Sequence, residues 1–261
     1  MLDYSINLYN LEYFLCILVR VSLFIYAAPF FGQRGVPNQV KIAFSFFVSA
    51  LLYGVIGPDR VPLQYETVYG YATIILKEAL TGLILGVSAN ICTTIIDFAG
   101  RIMDMETGLS MANLMDPTTG LNSSISGVMY QYAIILMLIV SGMHRYLIQA
   151  LAETFRLIPI DGAVFSSDRL LESMLMFLKD YVTIGFRICL PIFAVMIILN
   201  SVLGVMAKVS PQLNMFAVGM QIKVLTGLCV LFFTVGMLPS VSNFIFQEIK
   251  NMMTSFVNAM L

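Results

Sequence analysis
The chemistry available to this 261-residue chain rests on a few ionic side chains set into apolar runs. Arg20, Lys77, Glu78, Asp97, Arg101, Arg187 and Lys223 each lie within or beside a hydrophobic stretch. At a bilayer centre each would cost about 2.5–3.5 kcal/mol on insertion scales, so they are expected to face protein or water. Asp97 precedes Arg101 by four residues, the favourable order for a helical ion pair. Lys77 and Glu78 are adjacent and cannot face each other on a helix, so each needs a partner of its own, on this chain or another.

Catalytic chemistry finds little support. The single histidine, His144, has no carboxylate or cysteine company and makes a poor metal site; it reads as an interfacial or satisfied residue. Cys16, Cys92, Cys189 and Cys229 stand alone in apolar runs without metal or redox spacing and read as small buried hydrophobes. No Ser-His-Asp or Cys-His set has sequence context, and no phosphate-binding loop is present. The expectation is a protein that is not an enzyme and carries no metal or cofactor.

The elements that must hold these side chains are greasy. Of the residues, 59% are hydrophobic and only 11% charged, with a mean hydropathy of +0.89; soluble domains carry roughly 25% charged residues. Such a chain cannot hide its apolar surface inside one water-exposed globule. A net charge of −1 and a pI near 5.8 give no pointer to nucleic acid. Met1-Leu2-Asp3-Tyr4 lacks the basic start of a cleaved signal peptide, so the first apolar segment is expected to be retained.

A bilayer core of about 30 Å calls for about 20 apolar residues in helix. Six segments meet or exceed that scale, at residues 11–31, 40–56, 68–105, 125–158, 169–209 and 214–253. Pro29 with Gly32 and Pro37, Gly57-Pro58 with Pro62, Pro159 with Gly162, and Ser210-Pro211 punctuate them. Ser166-Ser167-Asp168 is an N-cap run for the fifth. The fold expected is all-α and membrane-associated. Some segments are too long for simple spans: residues 68–105 would make about 57 Å of helix at about 1.5 Å per residue. The fifth is longer still, with Pro191 inside it. Either such helices break, or they continue beyond the lipid against other protein.

Three constellations stand out. Glu78, Gly82, Gly86, Asn90, Thr93 or Thr94, Asp97 and Arg101 recur at three- or four-residue steps on one helix face. Close packing through small residues with polar glue is one reading; a stripe facing a partner subunit or a hydrated conduit is the other. Met103, Met105, Met111 and Met115 crowd a stretch that turns from helix to loop near Gly108, with Asn113, Asp116 and Pro117 following. Methionine fills irregular gaps freely, so this is either ordinary packing or a deformable plug. In the last two segments Arg187, Pro191, Asn200 and Lys208 punctuate one helix, and Gly219, Lys223 and Gly227 share a face of the next. Together they look like a helical hairpin turned at Ser210-Pro211.

These residues carry a resemblance. The run from Arg20 to Phe30 with Gly32, Pro37 and Lys41, then Glu78-(x)3-Gly82-(x)3-Gly86, resembles the FliR family of flagellar export-gate proteins. Gly108-Leu109-Ser110-Met111-Ala112-Asn113-Leu114-Met115-Asp116-Pro117 is similar to that family's central signature. Pro211-Gln212-(x)-Asn214-(x)-Phe216-(x)2-Gly219 with Lys223 is similar to its C-terminal one. Where many relatives have proline after Gly219, this chain has Met220-Gln221.

The resemblance implies a subunit of the flagellar type III export gate in the bacterial inner membrane, at the flagellar basal body. It implies assembly with FliP and FliQ homologues around a channel for unfolded export substrates, with FlhB and FlhA nearby. Residues 1–165 are expected to be FliP-like and residues 166–261 a FliQ-like hairpin part. The pore plug falls on residues 108–125, to which Met103 and Met105 lead. Arg20, Lys77, Glu78, Asp97, Arg101, Arg187, Lys208 and Lys223 are then expected to make inter-helix or inter-subunit polar contacts. The equivalent subunit of a virulence injectisome is the near rival. A small-solute transporter is the distant one; it would need an inverted repeat that is not visible here.

Overall fold
The computed structural model describes residues 8–33, 35–56, 63, 65, 67–111, 124–210 and 215–261, with backbone alone at residues 8, 9, 215 and 216. The described chain is helical: α1 Leu8–Ala27, α2 Asn38–Ile56, α3 Val68–Thr107, α4 Ile125–Val140, α5 Met143–Leu157, α6 Ser167–Val209, α7 Met215–Thr234 and α8 Leu238–Ala259. Five of its helical stretches are long and apolar enough to cross a membrane, or six if α4 and α5 count as one broken span. The all-α membrane architecture read from the sequence is the one observed.

Two of the six segments are divided. Residues 125–158 form α4 and α5, because Gly142 takes φ +81° at the α5 N-cap. Only glycine adopts that conformation without a steric penalty. The last segment is interrupted by a short 3-10 turn, Val235–Met237, just before Leu238-Pro239. Proline lacks the N–H that would continue α7 but is welcome in the first turn of α8. The long third segment stays whole over 40 residues, and α6 runs for 43 with Pro191 inside it.

The backbone divides into two compact units. The first contains Met1–Ile91, Gly142–Phe177 and Gln247–Leu261. The second contains Cys92–Ser141 and Leu178–Phe246. In the first, α1 buries Tyr13, Cys16, Ile17, Arg20, Val21 and Phe24 along one helix face, with Ala28 buried just after it. Gly82 and Gly86 of α3 meet that face at the closest range. A Cβ on Gly82 would fall 2.2 Å from the Arg20 carbonyl oxygen, and one on Gly86 2.7 Å from the Ala27 Cβ. The turn after α1 is tied by Lys41, whose ammonium donates to the Gly32 carbonyl at 3.0 Å and lies 5.0 Å from the Tyr26 ring centre. On α2 the other face is apolar and exposed, with Ile42 at 70%, Phe47 at 60% and Val55 at 64%.

In the second unit the later part of α3 is the hub. Its Gly100 approaches Gly127 of α4 so closely that a Cβ would lie 2.1 Å from the Gly127 Cα. Phe98 packs tilted against Tyr181 and edge-on against Phe186 of α6, with ring centres 5.3 and 6.2 Å away. Tyr130 of α4 hydrogen-bonds Thr234 of α7. α6 and α7 pack side by side, since Gly219 faces Leu203 and Gly227 faces Met196. Pairing 203 with 219 and 196 with 227 is the register of antiparallel neighbours, as a hairpin requires. The turn itself falls at residues 211–214, outside the described residues.

Gly100→Ala forces backbone against backbone, and it is expected to lower stability by about 1–3 kcal/mol. Gly204→Ala, with nothing within 4 Å of its added carbon, is expected to be neutral or mildly stabilising. Unfolding midpoints of the two detergent-extracted variants test this; indistinguishable midpoints would remove the close-packing account.

Candidate functional site
Two polar constructions emerge, one in each unit. In the first unit Arg20 and Glu78 form an ion pair with both side chains fully buried. The Arg20 Nε and Glu78 Oε2 are 2.5 Å apart, and the second guanidinium nitrogen donates to Oε1 at 3.0 Å. This planar two-toothed fit is what arginine offers and lysine does not. The remaining guanidinium nitrogen donates to the Ile158 carbonyl at 2.9 Å, and the ring of Phe155 covers the group at 4.4 Å. Glu78 also accepts the Asp161 backbone N–H at 3.1 Å. Asp161 sits at φ +67° in the turn between Pro159 and Gly162, a left-handed position that aspartate tolerates. Its carboxylate in turn accepts from Lys77 at 2.7 Å. Lys77 and Glu78 therefore point to different partners, as their adjacency demands, and both partners lie in this chain.

Nearby, Glu12 fastens the start of α3. It accepts hydrogen bonds from the Tyr65 hydroxyl, and its backbone carbonyl from the Tyr71 hydroxyl at 3.1 Å. The chain's end returns to the same unit, with the Val164 N–H donating to the Met260 carbonyl at 3.0 Å.

In the second unit α3 ends at Gly108, which takes φ +84°. Thr107 turns its hydroxyl back to the Met103 carbonyl at 2.9 Å, and its methyl stands against Gly227. Beyond that end lies a cavity of about 480 Å³, lined by Met105 and Glu106 of α3 and by Gly108, Ser110 and Met111 after it, by Asn200 and Leu203 of α6, and by Gly219, Met220 and Lys223 of α7. Glu106 and Lys223 make no ion pair with any described residue there. The cavity thus offers one carboxylate, one ammonium and flexible thioethers, a lining that can conform to another polypeptide. Among the described residues no three His, Cys, Asp or Glu side chains converge to hold a metal.

The chain leaves this wall and returns close to it. Asp104, buried, accepts the Ser126 backbone N–H at 3.2 Å, and the Ser124 hydroxyl accepts the Gly127 N–H at 2.8 Å. Both satisfy orphan donors at the start of α4.

The sequence-derived residues divide accordingly. Arg20, Lys77 and Glu78 join in the first-unit cluster. Met105, Gly108, Met111 and Lys223 line the cavity, whereas Met103 is buried beneath it at 1% exposure. Asp97 and Arg101 pair with each other at 3.0 Å on the surface of α3. Arg187 and Lys208 are exposed on α6. Asn113, Met115, Asp116 and Pro117 lie outside the described residues. His144 is half-buried, with its Nδ1 unpartnered among the described residues. Asp104, Glu106, Asp161 and Glu12 were not singled out from sequence. The partners of Asp104, Asp161 and Glu12 are distant in sequence, and only the Pro159–Gly162 turn gave any local signal.

Glu78→Gln leaves a buried guanidinium without its counter-charge, and a loss of about 3–5 kcal/mol is expected. Lys77→Gln touches a pair about two-fifths exposed and is expected to cost under about 1 kcal/mol. Recovery and unfolding midpoint of the two variants in detergent measure the contrast; equal losses would contradict it.

Comparison with known proteins follows this geometry. The family described as "Bacterial export proteins, family 1" matches residues 11–249. The chain is 32% identical over 214 residues to the flagellar biosynthetic protein FliR of Bacillus subtilis, covering 81% of each chain. It is 27% identical over 248 residues to the protein of the same name from Escherichia coli, covering 92% of this chain and 91% of that one. It is 25% identical over 241 residues to that of Aquifex aeolicus, covering 92% of each. With a match running from α1 into α8, this chain belongs to the bacterial export proteins of family 1, alongside the flagellar biosynthetic proteins FliR.

Proposed function
We propose that this chain is a non-enzymatic subunit of the flagellar type III export gate, seated in the bacterial inner membrane at the flagellar basal body. It assembles with FliP and FliQ homologues around a passage for unfolded flagellar subunits, with FlhB at the cytoplasmic side and FlhA as the export platform. Residues 1–165 act as a FliP-like part and residues 166–261 as a FliQ-like hairpin part. This division concerns kinship and is distinct from the two packing units. Energy for transport comes from other components.

The observation that carries this reading is the family match over residues 11–249. The surface supports it. In the most apolar window of α6, and in that of the stretch Ala217–Ala259, only 17% of the residues are buried by the chain itself. Helices of 40 and 43 residues are about 60 and 65 Å long at about 1.5 Å per residue. Lipid about 30 Å thick cannot cover them, whereas neighbouring subunits can.

Residues 108–125 are the plug in this proposal. Replacing residues 112–123 with a short Gly-Ser linker spares Gly108 and the Ser124 cap. Cells bearing that variant in an assembled gate are expected to leak small solutes that the wild type retains, measured by ion conductance or by sensitivity to an otherwise excluded solute. A sealed membrane around an assembled variant gate would reject the plug. Failure of the wild-type chain to co-purify with FliP-like and FliQ-like subunits would reject the whole assignment.

A further inference from the structure
Two helices of the first unit turn opposite faces outward. α5 buries Met143, Leu147, Leu151 and Phe155 and presents Arg145, Gln149, Glu153 and Arg156, as a helix beside water does. α2 does the reverse. Lys41, Ser45 and Ser49 are turned inward at four-residue steps, and each is satisfied within the chain. The Lys41 ammonium donates to the Gly32 carbonyl, and the Ser45 and Ser49 hydroxyls donate to the carbonyls of Lys41 and Ser45 at 2.7 Å each. From Ile42 to Val55 every exposed residue is isoleucine, alanine, phenylalanine, leucine, glycine or valine. At about 100° per residue these cover about 220° of the helix's circumference.

We propose that this outer face of α2 is a lipid-contact surface, covered by acyl chains in the assembled gate and not by a neighbouring subunit. The inference rests on the export-gate reading and adds to it which face of this chain the gate turns to the bilayer. The face offers no hydrogen-bonding side chain, whereas protein interfaces carry roughly one hydrogen bond per 100–200 Å². A partner helix would meet a stripe about 100° wide, less than half of the exposed arc. Ala43, Ala50 and Gly54 near the centre of the face are small, but Phe47 stands among them, 60% exposed, and holds a second backbone away. Length fits as well: the 19 residues of α2 make about 28 Å of helix, close to a hydrocarbon thickness of about 30 Å. Tyrosines mark both ends. Tyr26, 62% exposed, lies beside Lys41 at the start of α2. Tyr53 lies in its last turn, edge-on to Phe14, and Tyr65 and Tyr71 are held by Glu12, two residues before Phe14. Tyrosine collects at the two levels where hydrocarbon meets headgroups.

The chain contains no tryptophan, so a single engineered indole reports its own surroundings. Phe47→Trp places one at the middle of the outer face, Leu51→Trp gives a second reading on that face, and Gln149→Trp places one on the polar face of α5. Each variant is reconstituted into phosphatidylcholine vesicles whose acyl chains carry bromine, a contact quencher. The same is done with the purified complex of each variant and its partner subunits, and the emission of the complex with the wild-type chain is subtracted. The indoles at 47 and 51 should lose most of their emission to bromine both alone and in the complex, and the one at 149 little in either. Quenching at 47 and 51 in the isolated chain but not in the complex would mean that a subunit covers α2, and would overturn the proposal. Indoles left unquenched in both preparations would place the face away from lipid and overturn it too. Absence of any complex with the wild-type chain would instead overturn the export-gate reading, and this inference with it.

Discussion
One buried ion pair organises much of the first unit. With Arg20 and Glu78 both wholly withdrawn from solvent, neither can remain charged without the other. A carboxylate or guanidinium alone in that interior would carry a penalty of several kcal/mol. The requirement fixes the relation of α1 to α3, and the carbonyl of Ile158 and the N–H of Asp161 bring in the chain leaving α5. Gly82, one turn beyond Glu78, then has to be glycine, because the backbone of Arg20 occupies the space of its Cβ. Charge and close packing are two aspects of one contact.

The second unit follows a different logic. Its close contacts are made by glycine and aromatic rings, at Gly100 against Gly127 and at Phe98 against Tyr181. Some of its charges are met, Asp97 by Arg101 and Asp104 by the Ser126 N–H, while Glu106 and Lys223 on the cavity wall and Arg187 and Lys208 on α6 have no ion pair among the described residues. A membrane protein that leaves such groups unmet has its counterpart outside the chain, in water or in protein. The first unit is thus organised about a buried ion pair, whereas the second leaves cations and a carboxylate on its surface without an ion pair among the described residues.

Much of this was legible in the sequence, and the failures have physical causes. The helices were visible because apolar runs of this length admit little else. Glu78, Gly82 and Gly86 were read correctly as one face, since a period near 3.6 is a local property. Whether that face met its own chain or another could not be read, because the answer lies with Arg20, 58 positions away. Asp104 escaped notice for the same reason: the helix it caps starts beyond the loop. The break at Gly142 does carry a local signal, Ser141-Gly142 followed by His144-Arg145 and a more polar α5, which reading residues 125–158 as one segment passed over. Local periodicity is written in the sequence; the far partner of a buried charge is not.

Hydrogen–deuterium exchange on the detergent-purified chain, alone and within its complex, bears most directly on this division between a self-satisfied unit and one completed by neighbours. Backbone amides around Arg20, Glu78 and Asp161 should be slow to exchange in both states, and those of α6 from 178 to 209 and of α7 should slow markedly only in the complex. Equal protection of both regions in the isolated chain, unchanged by assembly, would contradict the account.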